Sequence, residues 1–365
     1  MKMKEDEIPT PALVIDLDRV EANLRRMRQY VDSHGLKLRP HTKTHKSLRM
    51  AQLQLNHGAV GLTTAKVGEA QVMALVGQDL TVGYPVHDRP RTTALAELAK
   101  LRTIRVALDS GYAADRIAEA TQSAGSTVGV LVDLDTGMQR TGLQHPEQTV
   151  DLAKQVEATA GLRLDGLFCY QGHILGTEDE MVAQCRDVGK LLEHTLGLWK
   201  ENGLAADIVS GGSTPAARVM HHIPQLTEIR PGTFIYNDRS YASVGACSIE
   251  HCAAHIVATV MSSAVPGKII LDCGSKTLTS DRYLGNADDG YGLVIEYPQA
   301  KIDHLTEEHG RVDITACDHS PKLGERMHVI PNHICTCVNL QNHVWFKDSD
   351  GEVEKAAVDT RGMLS

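Results

Sequence analysis

The sequence predicts an α/β fold: a (β/α)8 barrel of the TIM type followed by a β-rich C-terminal domain. Three observations carry this. From about residue 22 to 240, short β-rich runs alternate with amphipathic helical patterns, the rhythm of βα units in a parallel sheet. Eight such runs can be counted, the number a closed barrel requires. After about residue 245, strand-like runs follow one another across polar turns with little helix between them.

In chain order, Pro11–Asp16 reads as a strand ahead of the first helix, Asp18–Val31, and is expected to pair with the C-terminal sheet. The barrel runs are Lys37–Arg39, Ala59–Leu62, Asp79–Tyr84, Ile104–Leu108, Val128–Val132, Leu164–Phe168, Asp207–Val209 and Glu228–Ile229. Between them, Val67–Leu75, Thr92–Leu98, Tyr112–Ala120, Pro146–Ala158 and Asp179–Glu201 place apolar residues at three- and four-residue spacing, as outer-ring helices do. An open doubly wound sheet would show a G-x-G-x-x-G turn after its first strand, and none occurs. Further strands are expected at Ala253–Val260, Lys268–Asp272, Gly292–Ile295, Arg311–Ile314, Arg326–Val329 and Val344–Phe346. The expected domains are residues 22–240, the barrel, and residues 1–21 with 241–365, the β-rich domain.

A chain of 365 residues with 42% apolar and 23% charged residues can bury a large core without being a membrane protein. Its net charge of −9 argues against nucleic acid as a partner, because neutralising phosphates needs a basic face. No apolar run approaches the roughly 18 residues of a spanning helix, and the N-terminus lacks the apolar core of a secretory signal. A cytoplasmic protein acting on a small molecule is expected, and its eight cysteines are expected to be mostly reduced.

In barrels, chemistry gathers where strands end and loops begin. The first strand is followed by Arg39-Pro-His-Thr-Lys-Thr-His-Lys46, which sets Lys43 just beyond a proline-terminated strand. A lysine there can form an imine with an aldehyde; alone it would read as a solvated basic residue. The fifth strand runs into Asp133-Leu-Asp-Thr-Gly-Met-Gln-Arg-Thr-Gly142, where Arg140 can face an anionic oxygen. The sixth ends at Cys169-Tyr-Gln-Gly-His173, offering the Tyr170 hydroxyl and the His173 imidazole. The seventh ends at Ser210, Gly211, Gly212, Ser213 and Thr214, a glycine-rich turn whose amides and hydroxyls suit a phosphate. The eighth contributes Arg230-Pro-Gly-Thr-Phe-Ile-Tyr236, with Gly232, Thr233 and Tyr236 as candidates. Lysine, arginine, tyrosine and phosphate cup at four strand ends together describe a site for pyridoxal 5'-phosphate (PLP).

Six segments resemble the D-threonine aldolase and D-serine dehydratase family: Thr10-Pro-Ala-Leu-Val-Ile-Asp, Arg39-Pro-His-Thr-Lys-Thr-His-Lys, Asp135-Thr-Gly-Met-Gln-Arg-Thr-Gly, Ser210-Gly-Gly-Ser-Thr-Pro, Arg230-Pro-Gly-Thr and Pro331-Asn-His-Ile-Cys. The resemblance spans essentially the whole chain. It implies a fold-type III PLP enzyme, alanine-racemase-like, in which the lysine of the Pro-His-x-Lys motif, here Lys43, holds PLP as a Schiff base. It also implies a homodimer.

His333 and Cys335 stand at strand spacing, so both side chains are expected on one face. Two ligands are too few for a closed structural zinc site, and alone the pair reads as a buried cysteine beside a polar histidine. The family, however, places a divalent metal beside PLP on a histidine and, two residues later, an aspartate or cysteine. The thiolate favours zinc, with manganese or magnesium as alternatives. Cys337 would share the face, but the family pattern supplies only the first pair.

The implied activity is a PLP- and metal-dependent lyase acting on D-β-hydroxy amino acids. Retro-aldol cleavage of D-threonine-type substrates to glycine and an aldehyde is preferred, with dehydration of D-serine to a keto acid and ammonia as the alternative. A racemase or a non-catalytic PLP-binding protein would have no use for the metal pair. Where aldolase members carry a second histidine shortly after the tyrosine motif, this chain has Gly176. The base is then His173, Lys43 once released, or a metal-bound hydroxide.

Overall fold

The structure is a computed structural model and describes residues 2–365. The chain divides into two compact units. One holds residues 27–43 and 48–232 with the last three residues; the other holds the residues up to Arg26, Thr44–Ser47 and Thr233–Gly362.

In the first unit eight parallel strands follow one another in sequence order: Lys37–Leu38, Leu62–Thr64, Asp79–Val82, Thr103–Leu108, Val128–Asp133, Leu162–Phe168, Ile208–Gly211 and Glu228–Ile229. The last of them pairs in parallel with the first. The first and second strands meet through a bridge between His41 and Thr63, with Thr63 N–H donating to Pro40 O at 2.9 Å and Thr42 N–H to Thr63 O at 2.8 Å. The sheet thereby closes on itself, as the eight counted runs require.

Helices Val67–Met73, Arg89–Leu98, Gly111–Ala124, Pro146–Ala158 and Glu178–Glu201 connect the strands as expected. Their starts are written in the sequence. Asp88 and Ser110 accept from the amides of Arg91 and Ala113, and Thr177 and Glu180 cap each other reciprocally, each cap contributing on the order of 1 kcal/mol. Helix Leu48–Asn56 completes the set and was not anticipated. Between the last two long helices, Trp199 is fully buried and its Nε1 donates to Thr149 Oγ1 at 2.8 Å, so its polar handle is satisfied.

Charged residues of alternating sign run across the barrel strands. Arg39 Nε lies 2.9 Å from both carboxylate oxygens of Glu228, and its Nη1 reaches Asp79. Asp79 also holds Arg105, whose Nε lies 2.6 Å from Asp165. Ser210 Oγ donates to Glu228 Oε1 at 2.6 Å and accepts from Arg230 at 2.7 Å.

The second unit is a ten-stranded, mostly antiparallel sheet. Ala12–Asp16 lies between Ala254–Ser262, antiparallel, and His343–Lys347, parallel, so the N-terminal strand does join the C-terminal sheet. Ile8, Ala12, Val14, Val257, Trp345 and Val353 form one of its buried clusters. Lys301–Leu305 and Glu352–Ala357 are strands that the sequence reading left out.

One local expectation is overturned. His333 is not in a strand: it caps a helix, Ile334–Leu340, that carries Cys335 and Cys337. The burial of Ile334, Cys337 and Val338 follows helical rather than strand spacing. Among the described residues no helix is long and apolar enough to cross a membrane.

Candidate active site

In the barrel unit, Lys43 is half-buried in the turn after the first strand. That turn is pinned at both sides: His41 N–H donates to Pro231 O at 3.1 Å, Thr42 Oγ1 to Thr63 O at 3.1 Å, and Lys43 N–H to His41 Nδ1 at 3.3 Å. The backbone of the predicted anchor is therefore fixed by bonds that do not involve its side chain.

After the fifth strand, the Asp135 carboxylate accepts from the amides of Gly137, Met138 and Gln139 at 2.8–3.1 Å. The loop so tied presents Arg140, whose guanidinium lies 4.7 Å from the centre of the Tyr170 ring, within cation–π range. Gly137 has φ 120°, and a Cβ there would stand 2.9 Å from His173 Nε2; glycine is what lets the imidazole pack against this loop. His173 is half-buried, its Nδ1 is buried without a hydrogen bond, and burial lowers its pKa, partly offset by Asp135. An imidazole kept neutral with an unsatisfied nitrogen can accept a proton or a ligand hydrogen bond.

Gln171 was missed by sequence reasoning. Its Nε2 donates to Thr136 Oγ1 at 3.2 Å, its Oε1 accepts Gly212 N–H at 2.6 Å, and its carbonyl accepts Ser213 Oγ at 3.0 Å. One buried amide thus laces together the loops after the fifth, sixth and seventh strands. The consequence is that several donors of the predicted phosphate cup are already engaged. Gly212 N–H and the Ser213 hydroxyl donate to the scaffold, and Ser210, at an inward strand position, serves the Glu228–Arg230 chain. Gly211 is crowded, since a Cβ would lie 2.7 Å from Leu226 and 2.9 Å from Gln171 Oε1. Thr214 Oγ1 accepts Gly232 N–H at 3.1 Å, joining the seventh- and eighth-strand loops.

Arg230 is buried, stacked 3.6 Å over the Phe168 ring, with Nη2 donating to Cys169 O at 2.7 Å. Burial pushes its pKa down to about 10. Asp133, at the end of the fifth strand, is raised to about 6: burial dominates, Thr141 and Arg230 oppose it, and Asp109 adds to it. Its carboxyl binds a proton more tightly folded than unfolded, so it contributes stability below its ordinary pKa that is lost as pH rises through about 6. Asp133→Asn should therefore raise the thermal midpoint progressively between about pH 4 and pH 7; a gain independent of pH would contradict the assignment.

In the β-rich unit, Thr233, Tyr236, His333 and Cys335 are found together with Thr44. Tyr236 is fully buried, its ring edge-on to His45 at 6.5 Å. Despite the helical backbone, Cys335 sits close enough to His333 to favour its protonated form. Thr44 Oγ1 lies 3.2 Å and Thr233 Oγ1 3.4 Å from Cys335 Sγ. His333 Nδ1 is 3.0 Å from Asp238 Oδ2, which also accepts Ile334 N–H at 3.1 Å. Burial opposes protonation of His333, but Asp238 and Cys335 overcome it and raise it to about 11. No periodicity links residues 238 and 333, so Asp238 left no signal in the sequence. Cys337 points elsewhere, its Sγ donating to Thr277 O at 3.0 Å.

The donor chemistry fits a metal. With Nδ1 held by a carboxylate, His333 has Nε2 to offer, the carboxylate–histidine arrangement usual at metal ligands, and a thiolate supplies the second donor. The barrel loops fit PLP: an anchored lysine, an arginine beside a tyrosine, an imidazole with an orphaned nitrogen, and a braced glycine turn.

Comparison with known proteins gives the family. The alanine racemase N-terminal domain family matches residues 15–240, and a serine dehydratase domain matches residues 253–346. A D-threonine aldolase of Arthrobacter sp is 31% identical over 92% of this chain and 88% of its own length. A D-threo-3-hydroxyaspartate dehydratase of Delftia sp. (strain HT23) is also 31% identical, over 90% of this chain and 91% of its own. The solved D-threonine aldolase of Filomicrobium marinum superposes with a TM-score of 0.92 at 29% identity, over 100% of this chain and 99% of its own. The chain therefore belongs to the D-threonine aldolase and D-serine dehydratase family, fold-type III PLP lyases built on the alanine racemase N-terminal barrel.

Proposed function

We propose that this protein cleaves D-β-hydroxy amino acids of the D-threonine type to glycine and an aldehyde, with PLP held covalently by Lys43 and a divalent ion, zinc by preference, held by His333 and Cys335. The observation that carries it is the Asp238–His333–Cys335 set, which a racemase or a simple PLP binder would not need. Bound PLP would supply a sink for the electron pair released at Cα, and the ion would acidify the substrate hydroxyl.

The chain's own residues divide the remaining work. Arg140 and Tyr170 would orient the ring, and the glycine-rich turn after the seventh strand, braced by Gln171, would receive the phosphate through main-chain groups other than the Gly212 amide. His173, kept neutral by burial, takes the hydroxyl proton as the Cα–Cβ bond breaks. With PLP and substrate bound, the Lys43 amine would hold a proton for return to Cα.

Incubation with D-threonine should give glycine and acetaldehyde. The second reading, dehydration, is favoured by the dehydratase relative, as similar in sequence as the aldolase; a keto acid and ammonia from D-serine, without aldehyde from D-threonine, would replace the first by it. Neither product would remove both. Asp238→Asn should weaken metal binding roughly 10- to 100-fold in a chelator competition; unchanged affinity would mean that His333 is not a ligand. The reading includes a cytoplasmic location, expected from the sequence, and a homodimer, as the family resemblance implies; a monomer in sedimentation would remove the homodimer.

A further inference from the structure

A cluster in the β-rich unit is used by nothing above. His255 lies on strand Ala254–Ser262 and His328 on the adjacent antiparallel strand Arg326–Pro331, where His328 pairs with Val257. Residues 255 and 257 share a face of the sheet, and the two imidazole rings stand edge to face, 5.0 Å apart. Glu5, from the short 3-10 helix Glu5–Glu7, brings its carboxylate to them. One donor atom from each of the three lies within 4.8 Å of the other two. Glu5 Oε1 is 2.8 Å from His328 Nε2 and Glu5 Oε2 is 3.8 Å from His255 Nε2.

We propose that Glu5, His255 and His328 form a second metal site, for zinc or a similar divalent ion, distinct from the His333–Cys335 pair. Two histidines and one glutamate are a recognised zinc donor set. Donors around a tetrahedral ion at about 2.0–2.1 Å sit about 3.4 Å apart, inside the 4.8 Å that spans the three donor atoms here, so modest side-chain rotations would bring them onto one ion.

Two further observations point to a ligand. Glu5 Oε2 and His255 Nε2 are both buried without a hydrogen bond, a costly arrangement that an ion between them would relieve. The remaining nitrogen of His328, Nδ1, is held by Glu296, as outer-sphere carboxylates hold metal-binding imidazoles. Lys347 Nζ, 3.2 Å from Glu5 Oε2, is a competing cation; it is half-exposed on a flexible stem and can swing into solvent. An ion here would tie the N-terminal segment to two strands contributed by the C-terminal part of the chain, a structural role.

The test uses the full-length protein stripped of metal and titrated with cobalt(II) and with zinc. A His333→Ala, Cys335→Ser background removes the other pair. In that background one equivalent of cobalt should bind, with weak visible bands and no thiolate-to-metal charge transfer, and zinc should raise the thermal midpoint. Glu5→Gln and His255→Gln should each weaken this binding by more than the roughly 10- to 100-fold that loss of an outer-sphere partner costs. No bound ion in the background, or binding indifferent to both substitutions, overturns the proposal. If either variant does not fold, the anomalous scattering of a zinc-loaded crystal of the unaltered chain decides: a peak among the three side chains supports the site, and its absence overturns it.

Discussion

Lys43→Ala is expected to give a folded protein that has lost the visible absorbance of lysine-bound PLP and, with it, turnover by on the order of 10² to 10⁴-fold or more. The fold should survive, because the turn carrying Lys43 is held by main-chain bonds of His41 and Thr42 and by the amide, not the amine, of residue 43. Lys43→Arg should behave in the same way. It keeps the charge but cannot form the imine, so it separates covalent anchoring from simple electrostatic attraction. Retained absorbance in either variant would move the anchor to another lysine.

Glu228→Ala is expected to be the most damaging single change to stability, by about 3–5 kcal/mol. Glu228 is 2% exposed and faces Arg39, 4% exposed, with both carboxylate oxygens engaged. Its removal leaves a guanidinium in the barrel interior with only Asp79 to answer it, and strips Ser210 Oγ of its acceptor. Typical domains are stable by only about 5–15 kcal/mol, so thermal unfolding should shift far downward. Glu228→Gln keeps an acceptor and should cost less. Replacing Arg39 and Glu228 together by Met and Leu should recover much of the loss, since an ion pair of this kind often breaks even against a packed apolar pair. A double variant as unstable as Glu228→Ala would show that the wider network, through Asp79 and Arg105, depends on this pair.

The barrel was legible because its strands are buried on both faces and read as short apolar runs between turn signals. Val128–Asp133 is buried at every position. Some strands of the second sheet were less so. Glu352–Ala357 reads Glu-Val-Glu-Lys-Ala-Ala, without a regular alternation, and buries only Val353, a pattern that periodicity separates poorly from a loop. The helix Ile334–Leu340 was misread because isoleucine, threonine, valine and cysteine favour strands over helices, and tertiary packing overrode that preference. At the site, residue types at strand ends were readable from loop position alone. Gln171 and Asp238 were not, since each acts by joining segments that only the fold brings together.

The placement of Ala12–Asp16 between strands from the far end of the chain also bears on how the protein is made. That strand leaves the ribosome about 240 residues ahead of its pairing partner, since Val14 pairs with His255. At about 5–20 residues per second, an apolar Ala-Leu-Val-Ile run waits roughly ten seconds to a minute with both hydrogen-bonding edges open. During translation this apolar segment must be kept from other strand edges until its partners arrive.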